Sequence, residues 1–156
     1  MKTAPTAKTK IDLSTSQYQS IEAVDASTLK AGKNVPTKDM GVDVTASGNG
    51  TRFTGTAYDD AFTCGAGKDY IVFKTNQGSD TITNFGQSTV EDVIKLNGLS
   101  KNEIDSVNRQ IKAINTAGGT GTITFEGGGK LTFANAGTLS TITAKNTTIT
   151  SSTPSV

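Results

Sequence analysis

From Gly41 to Leu96 the chain places single apolar residues in short β-prone segments: GVDVT, GTRFT, DDAFT and KDYIV. Val44, Phe53, Phe62 and Ile71 recur every nine residues, and Ile82 follows after eleven. A nine-residue period is too short for a helix-turn-helix repeat. It matches half a turn of a parallel β-roll, in which each short strand supplies one inward apolar side chain. Two residues before these positions stand Val42, Thr51, Asp60, Asp69 and Asp80, and Gly67 and Gly78 precede the last two aspartates by two more. The pattern therefore sharpens towards the middle of the chain.

The flanks have other periods. Ser100 and Glu103 form a capping-box pair, and Ile104, Val107, Ile111 and Ile114 follow at helical spacing. Gly118-Gly119 supplies the stop, so a helix is predicted between Ser100 and Ala117. Alternation in TITF and LTF around Gly127-Gly128-Gly129 predicts an antiparallel hairpin. Ile11–Ser14 and Leu139–Ile142 read as short strands. Tyr18–Ser27 reads as a unit with Ile21 and Val24 inward, followed by a loop from Gly32 to Pro36. The expected fold is all-β: a short parallel β-roll, then one α-helix and an antiparallel hairpin cap. Residues 1–10 read as a flexible tail, 11–145 as the folded unit with repeats over 42–96, and 146–156 as a Ser/Thr-rich tail.

Composition supports many short strands and tight turns. Hydrophobic residues are 33% and aromatics 6%, low for one large core, while Gly numbers 17. A net charge of +1 without a Lys/Arg run gives no reason to expect nucleic acid. No apolar stretch is long enough for a membrane span. Lys2, Lys8 and Lys10 are not followed by the apolar segment of a Sec signal. With no His and one Cys, the sequence lacks Ser-His-Asp, Cys-His and zinc-thiolate machinery.

Candidate chemistry lies in the turns. Cys64-Gly65-Ala66-Gly67-Lys68-Asp69-Tyr70-Ile71-Val72 matches the unit G-G-x-G-x-D-x-U-x except that Cys64 replaces the first Gly. Gly55 to Phe62 is a weaker copy, with Ala57, Asp59 and Asp60 in its turn and Tyr58 at a glycine position. Gly78-Ser79-Asp80-Thr81-Ile82 is half of a third copy. Glycines allow a tight turn and converging carbonyl oxygens, and an Asp carboxylate completes an all-oxygen cage suited to a hard Ca²⁺ ion. Gly-x-Asp also occurs in metal-free turns, where Asp bonds its own backbone. Three copies in near-register favour the metal-binding reading.

These units resemble the RTX, or haemolysin-type calcium-binding, repeat of bacterial type I secreted proteins. Ile82-Thr83-Asn84-Phe85 and Glu91–Leu96 resemble the segment that closes such arrays. The resemblance implies Ca²⁺ between turns two repeats apart. Asp60 and Asp80 are then the better site, and Asp69 a weaker one whose same-side counterparts are Thr51 and Gln87. The ligand set it implies comprises Gly55, Ala57, Asp59, Asp60, Gly65, Gly67, Asp69, Gly78 and Asp80. Lys68, beside Asp69, opposes cation binding, and the array is short. The resemblance further implies a non-catalytic, extracellular or cell-surface structural module that folds on Ca²⁺ after export, with a hydroxyl-rich C-terminal signal at Thr147–Val156.

Other readings are a self-associating S-layer or adhesin domain and an accessory module of a polysaccharide-active enzyme. Asp59/Asp60 and Glu91/Asp92 read more simply as solvated turns or metal surroundings than as glycosidase pairs. Cys64, without a His or a basic neighbour closer than Lys68, reads as a plain thiol rather than a nucleophile. The recurring Thr-x-Thr pairs fall in no common register and follow from strand propensity.

Overall fold

A computed structural model describes residues 8–18, 20–30 and 40–152. Twelve strands among these residues form two six-stranded sheets. In chain order they are β1 (Thr9–Asp12), β2 (Ala23–Asp25), β3 (Val42–Thr45), β4 (Arg52–Thr54), β5 (Ala61–Thr63) and β6 (Tyr70–Lys74). Then come β7 (Ser79–Thr83), β8 (Val93–Asn97), helix α1 (Ile104–Thr116), β9 (Gly121–Thr124), β10 (Lys130–Ala134), β11 (Thr138–Leu139) and β12 (Thr148–Ser152).

The nine-residue period sends successive strands to opposite sheets. One sheet runs β1-β3-β5-β7-β10-β9 and the other β11-β12-β8-β6-β4-β2. Parallel partners place Val44 beside Phe62, Phe53 beside Ile71, Phe62 beside Ile82 and Ile71 beside Ile94. The five predicted inward residues are all buried between the sheets. The Phe53 and Phe62 rings stack across the gap with centroids 5.0 Å apart. Period-two strands with one buried face need this second layer to shed water from their apolar side chains.

The expected all-β parallel roll with an appended cap is corrected by this topology. Both sheets are mixed, and a helix packs against them. The reason is that the C-terminal strands do not sit beyond the repeats. β10 joins β7 in parallel while β9 runs antiparallel to β10, so the predicted hairpin completes the first sheet. β12 pairs antiparallel with β8, and β11 with β12. Thr148–Ser152, within the segment read as a tail, is therefore a sheet strand with Ile149 fully buried. Thr9 and Lys10, also read as tail, belong to β1. Ile21, expected inward, is 37% exposed, whereas Val24 packs against the core. The Gly32–Pro36 loop lies outside the described residues.

The helix lies where predicted, preceded by a 3₁₀ turn at Lys101–Glu103. Ser100 N–H donates to Glu103 Oε2 (3.0 Å), and Val107, Ile111 and Ile114 are buried. Its polar face does further work. The side-chain amides of Asn108, Gln110 and Asn115 each pair with both backbone groups of one residue, respectively Ile142, Thr124 and Leu139, at 2.8–3.2 Å. Each amide acts as a one-residue strand and satisfies backbone groups that an edge would otherwise present to another chain.

Candidate functional site: two stacks of turns

The turns between strands stack at the two margins of the sheets, and buried aspartates join them. At one margin, Val42 N–H donates to Asp60 Oδ1 (2.8 Å), and Asp60 N–H donates to Asp80 Oδ1 (2.9 Å). Within its own turn Asp60 also accepts Thr56 N–H on Oδ2 (2.6 Å) and Thr56 Oγ1–H on Oδ1 (2.9 Å). Asp59 Oδ1 accepts Ser79 N–H (2.8 Å). At the other margin, Thr51 N–H donates to Asp69 Oδ1 (2.8 Å), Asp69 N–H to Asp92 Oδ1 (2.9 Å), and Asp92 N–H to Ser151 Oγ (2.9 Å). Gly65 N–H and Gly86 N–H complete Asp69 Oδ2 (2.8 Å) and Asp92 Oδ2 (2.7 Å). Asp60, Asp69 and Asp92 thus each close their own turn and tie it to the preceding turn on the same margin, while Asp80 reaches back to Asp60 and Asp59 forward to Ser79. Bonds between a carboxylate and backbone N–H are charge-assisted, and burial strengthens them.

The glycines permit this close stacking. At Gly78, where φ is +62°, a side chain would collide with Tyr58 O and approach Asp80 Oδ1. A side chain at Gly55 would strike Asp60 Oδ2, one at Gly65 would strike Ser47 O, and one at Gly67 would strike the backbone at Asn49 and Gly50. Ala57 is exposed on its turn.

The sequence pairing of Asp60 with Asp80 holds. The pairing of Asp69 with Thr51 holds as well, but its partner on the other side is Asp92, not Gln87. β6 pairs with β8 so that Tyr70 faces Val93, a separation of twenty-three residues rather than eighteen. The extra residues lie in the turn before Asp92. The signal for Asp92 was present: Asp92-Val93-Ile94 repeats the Asp-x-Ile order of Asp69-Tyr70-Ile71 without the preceding Gly-x-Gly.

Burial raises the carboxyl pKa values in both stacks. Asp80 rises to about 8, with the Asp60 and Asp59 carboxylates adding to the desolvation. Asp69 rises to about 6 for the same chief reason, with a smaller push from Asp92. Asp60 and Asp92 are also raised, against the pull of the N–H groups that bond them. Cys64, 7% exposed, lies beside the Asp69 and Asp92 carboxylates, and desolvation and these two acids hold the thiol protonated.

The donor sets of the two margins differ, and this tests the Ca²⁺ that the sequence pattern implies. Around Asp60 the donors are oxygens alone. A side chain at Gly41 would meet both Asp59 O and Asp60 Oδ1, and one at Gly78 both Tyr58 O and Asp80 Oδ1, so carbonyl and carboxylate oxygens lie side by side. Oxygen is the donor type a hard cation prefers, although among the described residues the Asp59, Asp60 and Asp80 carboxylates do not form a group within 4.8 Å of one another. At the other margin the ligating atoms of Cys64, Asp69 and Asp92 lie within 4.8 Å of one another. That set contains a thiol, which Ca²⁺ does not favour. It does not fit Ca²⁺.

Compared with known proteins, the chain matches no family model, no curated protein and no solved structure. No helix among the described residues is long and apolar enough to cross a membrane.

Proposed function

We propose that this chain is a non-catalytic structural module of an exported bacterial protein, in which Ca²⁺ reinforces turns already joined by buried aspartates. The observation that carries the reading is the run of inter-turn bonds from Val42 through Asp60 to Asp80, flanked by oxygen donors. The Asp59 and Asp60 carboxylates push up the pKa of Asp80, and Lys8 is a cation that pulls those of Asp60 and Asp80 down. A divalent cation offsets such crowding, and its binding free energy adds to folding. Asp59, Asp60 and Asp80 are the carboxylate ligands in this reading, with carbonyl oxygens of Tyr58 and Asp59 beside them.

Catalysis is left out of the reading because the buried acids are engaged by backbone donors rather than converging on a cavity. Cys64 is held as a neutral thiol, the wrong state for a nucleophile. Export follows from the resemblance to type I secreted proteins, and the single buried cysteine is compatible with it. Thermal unfolding in chelator and in millimolar Ca²⁺ tests the proposal. The melting temperature is expected to rise with Ca²⁺ in the wild type and to stay constant in Asp80→Asn. An unchanged wild-type melting temperature overturns it.

A further inference from the structure

The two ends of the stacked sheets are finished differently. At the C-terminal end helix α1 lies against β9, and the Gln110, Asn115 and Asn108 amides occupy both backbone groups of Thr124, Leu139 and Ile142. At the N-terminal end β1 and β2 are the outermost strands of their sheets, and no described residue pairs with their outer edges. Tyr18, Ile21 and Leu29, three of the four exposed large apolar side chains among the described residues, lie in the segments beside these two strands. Unpaired strand edges next to exposed apolar side chains are where a sheet accepts another strand.

The backbone of β1 says which strand fits. Leu13 N–H donates to Thr45 O (2.9 Å), so Ile11, two residues earlier, also faces β3. The N–H and C=O groups of Lys10 and Asp12 therefore point outward. The Ile11 side chain packs against the core, whereas Lys10 and Asp12 are exposed on the outer face. Neither is in an ion pair with a described residue. A two-fold axis runs a second β1 antiparallel to the first, and outward-pointing residues must then oppose each other. Centring the pair on Lys10 sets lysine against lysine, and centring it on Asp12 sets aspartate against aspartate. Centring it on Ile11 sets Lys10 opposite the partner's Asp12, and Asp12 opposite the partner's Lys10. Only this central register is complementary in charge.

We propose that the N-terminal edge docks a second copy of this chain, β1 against β1 about Ile11, in a two-fold dimer fixed by two Lys10–Asp12 pairs. The dimer is closed rather than a fibre, because the helix amides seal the opposite end. Cation binding plays no part in it, so the test is run in chelator and its outcome is separate from that of the proposed function. Sedimentation velocity of the full chain is expected to show a dimer whose fraction rises with concentration. Lys10→Asp sets like charges opposite each other at both positions and is expected to raise the dimer Kd about tenfold. Lys10→Asp/Asp12→Lys exchanges the charges and is expected to restore the wild-type Kd, which a general effect of surface charge would not do. Asp12 also accepts Ser14 N–H and Oγ–H, so circular dichroism checks that each variant is folded. Amide exchange of the wild type needs no substitution: the Lys10 and Asp12 amides are expected to slow as concentration rises, while that of Ile11, already turned to β3, stays the same. A wild type that remains monomeric at millimolar concentration overturns the inference. So do Lys10 and Asp12 amides that exchange as fast in the dimer as in the monomer, and a folded double variant that dimerises no better than Lys10→Asp.

Discussion

The two margins begin from the same Gly-x-Asp pattern and end with different chemistry. Around Asp60 and Asp80 the turns offer carboxylate and carbonyl oxygens, with Asp60 accepting three hydrogen bonds and Asp80 one inter-turn N–H. Around Asp69 and Asp92 both carboxylates are bonded on both oxygens, and a thiol lies beside them. Asp60 and Asp80 together accept four of these bonds and Asp69 and Asp92 also four, so the margins differ in the thiol and not in how many protein groups their carboxylates engage. A short consensus match therefore says where an aspartate turn is, and the neighbouring turn says what the aspartate does.

The largest effect should come from breaking the second margin. Asp92→Ala leaves Asp69 N–H and Gly86 N–H without their acceptor in a buried turn, and is expected to cost about 2–6 kcal/mol, since each such orphaned group costs about 1–3. Urea unfolding in chelator measures it. A loss under 1 kcal/mol would mean that the turn re-forms its bonds elsewhere.

Acidity comes next. Asp69 has a folded pKa of about 6, above its ordinary value of 3.8, because of burial. The native state then holds a proton that the unfolded chain has released, so stability is greatest below about pH 4 for this group and declines as pH rises through about 6. In chelator the wild type is expected to lose about 1–3 kcal/mol from this group between pH 4 and 7, and Asp69→Asn to lose correspondingly less. A wild-type and variant pair with identical pH profiles would contradict the burial of this charge.

A smaller loss, about 1–2 kcal/mol, is expected for Asn115→Ala, which removes the amide that pairs with Leu139. Its Ca²⁺-induced rise in melting temperature should equal that of the wild type, because the Asn115 amide bonds Leu139 and none of the aspartates of the turns. A diminished rise would tie the helix to the turns and weaken the contrast between independent stacks. The smallest effect in chelator is expected for Asp80→Asn, about 1 kcal/mol or less, because the amide oxygen still accepts Asp60 N–H. Hydrogen exchange at that amide is the direct measurement, and strong deprotection would show that the carboxylate itself is required.

Much of the local order was legible in the chain. The inward ladder Val44, Phe53, Phe62, Ile71 and Ile82, the helix face of Val107, Ile111 and Ile114, and the hairpin around Gly127–Gly129 follow from period and turn chemistry, which act over a few residues. The same-margin pairing of Asp60 and Asp80 followed from counting, since the added residues near Lys74–Gln77 lengthen one turn without changing sides. The pairing of Asp69 with Asp92 did not, because the longer turn between Phe85 and Asp92 breaks the count. Burying Ile94 opposite Ile71 sets that register instead.

Sequence alone determined where strands, turns and the helix form, because propensity, periodicity and glycine-dependent turns are local. Tertiary structure alone decided that the hydroxyl-rich C-terminal segment becomes a sheet strand, that Ser151 receives Asp92 N–H across fifty-nine residues, and that Cys64 lies beside two acids. Those outcomes depend on which backbone edges remain unpaired after the repeats stack. The need to satisfy buried N–H and C=O groups settles that, and it is a property of the assembled sheets rather than of any one segment.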